Sequence, residues 1–242
     1  MWQSAPTQSR SVETPLVAVQ SFHLVALGGC NTSGLDQGGC MPAALAAQAA
    51  TDDIDVRLRN FGAAMLTSRE GLAQLRDYHG PLDGLIVNFG VVDAWVTGLP
   101  QWYVPRYPQR PWLRAWLRVS KSLKRRLKTP WLRRLVPSGS VVSPVEFEDN
   151  LRRIVARGRQ LNSEVRIVLW GSCLRNDPAR DSLIEDYNRI LERVALACDV
   201  EYLDTEFLLQ PYARSTRFVD GVHFSEFSQQ QIASGIGPVL FG

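Results

Sequence analysis

Short apolar segments alternate with helix-forming segments along most of this chain, and this alternation constrains the fold more than any other feature of the sequence. Five segments have the length and composition of strands: Phe22–Leu27, Asp55–Arg59, Gly84–Phe89, Val165–Trp170 and Val200–Leu203. Strands that alternate with helices form a parallel sheet covered on both faces. The chain is therefore expected to form a three-layer α/β/α sandwich of the flavodoxin-like kind, with about five parallel strands.

The helix starts are marked by capping signals. Ser or Thr followed three positions later by Glu predicts the first turn of a helix. Such pairs begin at Thr67, Ser143 and Ser182. An Ala-rich helix is also expected from about Pro42 to Ala50, and a last helix from about Ser225 to Ile236.

Length and composition indicate one domain in a reducing compartment. The chain has 242 residues, and its four cysteines form no C-x-x-C pair, so free thiols are expected in place of a zinc site or a disulfide framework. Residues 1–20 are polar and contain two prolines, which predicts a flexible segment and no secretory signal. Residues 21–242 are expected to form the single domain of a cytoplasmic protein, with peripheral docking at the inner face of the membrane as an alternative.

A strongly basic segment interrupts this domain at about residues 95–142. No acidic residue occurs between Asp93 and Glu146, whereas the same stretch contains eleven Lys or Arg residues. Tryptophans and leucines from Pro111 to Lys128 recur at helical spacing beside these charges. We interpret the segment as a helical insert that docks on an anionic membrane surface, an acidic carrier protein or a glycan, or that forms a lid. Nucleic acid is disfavoured, because no recognised binding module accompanies the charges.

Ligands of parallel sheets bind at the carboxyl ends of the strands, so the loops that follow the strands are the candidates for chemistry. The first strand is followed by Gly28 and Gly29 and then by Cys30. The turn could cradle a phosphate, although it lacks a Walker lysine. It could instead present Cys30 as a nucleophile whose thiolate is favoured by backbone N–H groups, or Cys30 could be a small buried residue.

A second candidate segment lies near the end of the chain. Asp220 and His223 are three residues apart in the sequence VDGVHF, between the last predicted strand and the last predicted helix. A carboxylate at this spacing can hold one imidazole nitrogen, which leaves the other nitrogen to act as a general base. The alternative is a purely structural Asp–His turn.

Together these segments resemble the SGNH (GDSL-type) hydrolase family. Gly28–Gly34 is similar to the family's first block, and Cys30 takes the position of its catalytic serine. Residues 60–67 and 90–93 resemble the second and third blocks, and 220–223 matches the D-G-x-H of the fifth. The chain departs from the pattern at Met65, where the family has its oxyanion glycine, and at Val92, where it has an oxyanion asparagine.

The resemblance implies an esterase or thioesterase that forms a covalent acyl-enzyme. Cys30 would attack the carbonyl, His223 would transfer the proton, and Asp220 would orient His223. The N–H groups of Cys30 and Met65 would bind the oxyanion, and the other residues expected at the oxyanion or substrate site are Asn60, Gly62, Asn88 and Asp93. The substrate would be a small or carrier-bound acyl compound, and neither a cofactor nor a metal is expected. An acyltransferase and a catalytically inactive binding protein are the alternatives.

Overall fold

A computed structural model describes residues 21–34, 39–97, 139–175 and 178–242 of the chain. The predicted N-terminal segment, residues 1–20, and the central part of the predicted basic insert, residues 98–138, lie outside these ranges. The assignments made for those two segments therefore remain predictions from the sequence.

The strands are β1 (Ser21–Gly28), β2 (Asp55–Asn60), β3 (Gly84–Asn88), β4 (Val96–Thr97), β5 (Gly139–Ser140), β6 (Arg166–Trp170) and β7 (Glu201–Leu203). The helices are α1 (Cys30–Ser33), α2 (Met41–Ala50), α3 (Ser68–Arg76), α4 (Pro144–Leu161), α5 (Pro178–Cys198), α6 (Thr205–Leu209), α7 (Arg214–Arg217) and α8 (Glu226–Phe241). All five predicted strands are present, with bounds that differ from the prediction by only one residue.

Five of the strands form one parallel sheet in the order β2-β1-β3-β6-β7. The predicted fold class is therefore confirmed. In the sheet Ala26 pairs with Asn60 on one side and with Ile86 on the other, so the carboxyl ends of β1, β2 and β3 reach the same edge. The loops that leave this edge are consequently close neighbours.

The side chains of β1 explain why helices cover both faces of the sheet. Val25 and Leu27 are fully buried in a core formed with α3, α4 and α5. Leu24 and Ala26, which point to the opposite face, are fully buried in a second core formed with α2 and α8. Successive residues of a strand face opposite sides, and burial on both sides produces three layers.

Two of the three capping signals mark helix starts. Thr67 and Glu70 form a reciprocal capping box at the start of α3. Ser143 accepts a hydrogen bond from the N–H of Glu146 at the start of α4, whereas the Glu146 carboxylate forms a salt bridge with Arg69. The third prediction is wrong, because α5 begins at Pro178 and Ser182 lies inside it.

The exposed side of α5 bears on the question of membrane association. This helix is the longest of those described and carries Arg189 and Arg193 in salt bridges on its exposed side. In the described parts of the chain, no helix combines the length and the apolar character that crossing a bilayer requires.

Candidate active site

Cys30 lies at the carboxyl edge of the sheet, where β1 turns into α1. The turn depends on Gly28, since a Cβ atom at this position would lie 2.1 Å from Oγ1 of Thr32 and 2.8 Å from the carbonyl oxygen of Asn88. Gly29 precedes the helix, and Cys30 is its first residue. The thiol is thus presented on a tight strand-to-helix turn at the end of β1, which lies between β2 and β3 in the sheet.

Two opposing influences act on the pKa of the Cys30 thiol. Burial raises this pKa, while the charge of Arg175 and the backbone N–H groups of Cys30 and Asn31 lower it. The N–H groups act as the sequence predicted, but burial outweighs them and the pKa lies above the usual value. The expectation that the thiolate is favoured is therefore corrected: at neutral pH Cys30 is a thiol, and its activation requires a base.

Asp220 holds the ring of His223. The distance from Nδ1 of His223 to Oδ2 of Asp220 is 2.6 Å, and Oδ1 of Asp220 accepts hydrogen bonds from the N–H groups of Val222 and His223. These hydrogen bonds, with that of the His223 N–H as the strongest, lower the pKa of Asp220 to about 2, so the carboxylate is ionised at neutral pH. An ionised carboxylate at Nδ1 favours the tautomer in which Nε2 carries the lone pair.

The loop that carries this pair is tied to the helix that begins with Cys30. Oδ1 of Asn31 accepts a hydrogen bond from the N–H of Phe224, next to His223, over 3.3 Å. Phe224 is buried and stacks on Phe218, with ring centroids 5.5 Å apart. These contacts fix the position of the histidine loop relative to α1.

Cys30 and His223 line one cavity of about 630 Å³. Most of the other residues that line it are apolar: Ala64, Met65, Val91, Val92, Ala94, Trp95, Leu183, Ile184 and Val222. Arg175 and Arg180 complete the lining. The structure therefore brings two of the predicted catalytic residues, which are 193 positions apart in the chain, to the same concave surface.

Met65 lies in the same cavity and has an unusual backbone conformation. Its φ is +63°, in the left-handed region that favours glycine. This conformation explains why glycine suits the position of Met65 in the SGNH family that the chain resembles. Within the described part of the chain, the Met65 N–H has no hydrogen-bond acceptor, so it is available to a ligand.

Asn60 and Gly62 fix the loop that follows β2 and do not face the cavity. Nδ2 of Asn60 donates to the carbonyl of Thr32 over 2.8 Å, and Oδ1 accepts from the N–H of Gly62 over 2.8 Å. A Cβ atom at Gly62 would lie 2.7 Å from the backbone nitrogen of Ser33. This geometry argues against the predicted oxyanion roles of Asn60 and Gly62. Both residues instead hold the loop that carries Met65 against α1.

Asn88 also fixes the backbone. Its buried amide donates to the carbonyls of Trp170 and Gly171, over 2.9 Å and 3.3 Å. Trp170 is the last residue of β6, and Gly171 begins the loop that follows it. Because the amide is engaged in this way, we assign Asn88 to the support of the β6 loop and not to the oxyanion.

Asp93 is fully buried and does not itself line the cavity, although its neighbours Val92 and Ala94 do. Its carboxylate accepts hydrogen bonds from the N–H of Ser68, over 2.9 Å, and from the N–H of Gly90, over 3.1 Å. Burial raises its pKa to about 6. The predicted substrate contact is thus replaced by a structural role, in which Asp93 joins the start of α3 to the turn after β3.

Arg175 is the residue that the sequence analysis missed. It lies five positions after the end of β6, at the same edge of the sheet as Cys30. Because ligands of parallel sheets bind at the carboxyl ends of the strands, the loop after β6 is also a candidate region, and it contains this arginine. Its isolated position, without a surrounding motif, gave no further signal in the sequence.

Three solved structures of known proteins share this fold. The structure of TesA has a TM-score of 0.59 at 18% identity, with 90% of this chain and 98% of that chain covered. The lipase/acylhydrolase from Enterococcus faecalis has a TM-score of 0.60 at 18% identity, with coverage of 90% and 96%. A catalytic mutant of Axe2, an acetylxylan esterase from Geobacillus stearothermophilus, has a TM-score of 0.58 at 16% identity, with coverage of 91% and 94%.

The five-stranded parallel sheet, with a histidine–carboxylate pair beside a cavity at its carboxyl edge, has the architecture of a hydrolase of ester bonds, and the family model supports this class. The model of the GDSL-like lipase/acylhydrolase family matches residues 26–230, and the chain belongs to this family. Among curated protein sequences, none matches the chain. The predicted family is thereby confirmed, whereas the role of Cys30 as its nucleophile stays a prediction.

Proposed function

We propose that this protein is an acyl hydrolase in which Cys30, His223 and Asp220 act as a catalytic triad. The observation that carries the proposal is the shared cavity: Cys30 begins a helix on one wall, and His223, held by Asp220, lies on another. A nucleophile, a base and a group that orients the base are the components that covalent acyl transfer requires.

The acylation step follows from the protonation states of these groups. Nε2 of His223 accepts the thiol proton as Sγ of Cys30 forms a bond to the carbonyl carbon of the substrate. The carbonyl π electrons move to the oxygen, which becomes the oxyanion of a tetrahedral intermediate. When the intermediate collapses, the bond to the leaving alcohol or thiol breaks, and His223 returns the proton to it. The product is a thioester on Cys30.

Deacylation uses the same histidine. Nε2 of His223 accepts a proton from water as the water oxygen attacks the thioester carbonyl. The second tetrahedral intermediate collapses with release of the carboxylic acid, and the proton returns to Sγ of Cys30. Asp220, ionised at neutral pH, stabilises the imidazolium that forms in both steps.

Backbone N–H groups supply the oxyanion site in this mechanism. The N–H of Cys30 belongs to the first turn of α1 and has no partner within the helix. Met65 lines the cavity from the loop after β2, and its N–H has no acceptor among the described residues. Val92, at the position of the family's oxyanion asparagine, contributes no donor, so the site has one donor fewer than that of the family. Loss of one such donor typically costs about 10²- to 10³-fold in rate.

Hydrolysis of 4-nitrophenyl acyl esters tests this function. Cys30→Ala is expected to abolish turnover, and Cys198→Ala is the matched control, since Cys198 lies at the far end of α5 and outside the cavity. A Cys30→Ala variant that hydrolyses the esters at the wild-type rate would contradict the proposal. Complete inactivity of the folded wild-type protein on esters and thioesters of every chain length would favour the binding-protein alternative.

An acyltransferase is the second candidate, and the apolar lining of the cavity favours it. Apolar walls such as Val91, Leu183 and Ile184 exclude water from the thioester, which gives an amine or alcohol acceptor the advantage. Addition of an acceptor such as glycerol or glucosamine during turnover distinguishes the two. Formation of the acylated acceptor in place of the free acid would assign the protein as a transferase.

A partner for the basic segment of residues 95–142 is proposed on the sequence alone. Its eleven positive charges would attract an anionic membrane surface or an acidic carrier protein that delivers the acyl group. Binding to either partner should weaken steeply with added salt.

A further inference from the structure

Arg175 lines the cavity but has no role in the proposed mechanism. The cavity that holds Cys30 and His223 is otherwise lined mainly by apolar side chains, with Arg180 as a second guanidinium. Such walls suit the hydrocarbon part of an acyl compound but do not solvate a charge. An arginine in this setting therefore needs an explanation of its own.

The Arg175 guanidinium is attracted by the charges of Asp181 and Asp220 but, in the described part of the chain, is paired with neither carboxylate. It makes no salt bridge and no side-chain hydrogen bond with any residue that the structure describes, although its backbone N–H donates to Oδ1 of Asp181. The nearby carboxylate of Asp220 is already engaged by His223 and by two backbone N–H groups. A charge that is partly removed from water and makes no ion pair is costly, and such a cation in a cleft is a candidate for binding an anion.

Arg175 is also close enough to Cys30 for their charges to interact. Its charge is the largest of the influences that lower the pKa of the Cys30 thiol, and burial lowers the pKa of Arg175 itself. The guanidinium remains protonated at neutral pH in spite of this burial, because its ordinary pKa is so high. A fixed positive charge therefore lies in the same cavity as the atom that would attack the substrate.

We propose that Arg175 forms an anion-binding subsite next to Cys30, and that the natural substrate carries a carboxylate or phosphate group within a few bonds of the ester or thioester carbonyl. The planar guanidinium presents paired donors that match either group. This proposal rests on the proposed function in so far as it places the scissile bond at Cys30. The charged group can belong to the acyl part or to the alcohol part of the substrate.

Alkylation of Cys30 tests the subsite without any turnover. Iodoacetate and iodoacetamide react in the same way, by formation of an S–C bond at Sγ with loss of iodide, and differ in that iodoacetate carries a carboxylate. We expect Arg175→Gln to lower the ratio of the iodoacetate rate to the iodoacetamide rate at Cys30 by about tenfold. Arg175→Lys should restore part of the ratio, since it keeps the charge but not the paired donors.

Arg189→Gln is the matched control for this measurement. Arg189 is an exposed arginine of α5, paired with Glu185 and Asp186, and does not line the cavity. Its removal changes the net charge by the same amount and should leave the ratio unchanged. An equal slowing of both reagents by Arg175→Gln would overturn the proposal, because it would limit Arg175 to stabilising the thiolate.

Turnover then identifies which part of the substrate carries the anion. The first arm compares 4-nitrophenyl hemisuccinate with 4-nitrophenyl butyrate, and the second compares acetylated glycerol phosphate with acetylated glycerol. In one of the two arms, Arg175→Gln should reduce the preference for the anionic ester, measured as a ratio of kcat/KM values, by about tenfold or more. A ratio that does not change in either arm would contradict the proposal, even where Cys30→Ala proves that the triad itself is correct.

Discussion

Nδ1 of His223 lies 2.6 Å from Oδ2 of Asp220, within one turn of the loop that precedes α8. The two residues are joined a second time, because Oδ1 of Asp220 accepts the backbone N–H of His223. The carboxylate therefore fixes both the ring and the backbone of the histidine. This double contact is the arrangement expected of a base and the group that orients it.

Substitution of these two residues should affect turnover to different extents. His223→Ala removes the proton acceptor and should lower kcat/KM by about 10²- to 10⁴-fold. Asp220→Asn preserves the backbone contacts through its carbonyl oxygen but places an N–H donor against Nδ1, and a smaller loss of about 10- to 10³-fold is expected. Ester hydrolysis measures both values.

His79→Ala is the control for the histidine substitution, because His79 is exposed on the loop after α3 and lies outside the cavity. It should keep full activity. Equal activity of His223→Ala and His79→Ala would remove His223 from the mechanism.

Replacement of Cys30 by serine restores the residue of the family pattern. Because the raised pKa keeps Cys30 protonated at neutral pH, its activation by His223 resembles that of a hydroxyl group. Cys30→Ser is therefore expected to hydrolyse esters at a rate at least about tenfold above that of Cys30→Ala. If both variants are equally inactive, the higher nucleophilicity of sulfur is essential and the analogy with the serine enzymes fails at this step.

The buried carboxyl of Asp93 should make stability depend on pH. Its pKa is raised to about 6 in the folded protein from an ordinary value of 3.8, so the folded state binds this proton more tightly than the unfolded state. The stabilisation from this group is fully present below about pH 3.8 and is lost as the pH rises through 6. Between these two pH values the contribution of Asp93 to the free energy of unfolding falls by an amount on the order of 3 kcal/mol.

Denaturant unfolding of the wild-type protein and of Asp93→Asn between pH 4 and pH 7.5 measures this contribution. The variant should be less stable overall, since an amide cannot accept hydrogen bonds from both Ser68 and Gly90 through two oxygens. The stability difference between the two proteins should shrink as the pH rises. A difference that stays constant over this range would contradict the assignment of a raised pKa to Asp93.

The left-handed backbone of Met65 predicts an order of stability among variants. Met65→Val places a β-branched residue at φ +63° and should destabilise the protein by about 1–2 kcal/mol. Met65→Gly relieves the strain but makes the unfolded chain more flexible, so its stability should lie within about 1 kcal/mol of the wild type. Equal stability of the valine and glycine variants would show that this backbone conformation is not maintained in solution.

The sequence was sufficient to predict the sheet and the positions of the main catalytic candidates. The strand Gly84–Asn88 is apolar up to its last residue, and a run of this kind can be recognised from local composition alone. The start of α5 is predicted four residues too late, since the Ser182–Glu185 pair has the spacing of a capping box but lies inside the helix, which begins at Pro178. Cys30 and His223 were found because each lies on a loop in a short recognisable motif.

The polar residues around the site were harder to predict, because their roles depend on partners that are distant in the chain. Asn88 donates to Trp170 and Gly171, more than 80 positions away, and nothing near Asn88 in the sequence indicates these acceptors. The balance of burial and charge at Cys30 likewise depends on Arg175, which belongs to a different loop. Short motifs therefore identify the candidate catalytic residues, whereas contacts with residues distant in the chain determine the role of each polar side chain.

Trapping of the acyl-enzyme tests the central claim most directly. The wild-type protein is mixed with an activated ester or acyl thioester, quenched in acid within the first turnovers and analysed by intact and peptide mass spectrometry. We expect one added acyl group on the peptide that contains Cys30. Hydroxylamine should release it, and it should be absent from Cys30→Ala but present in Cys198→Ala. Turnover that proceeds with the acyl group on another residue, or that persists in Cys30→Ala, would contradict the claim.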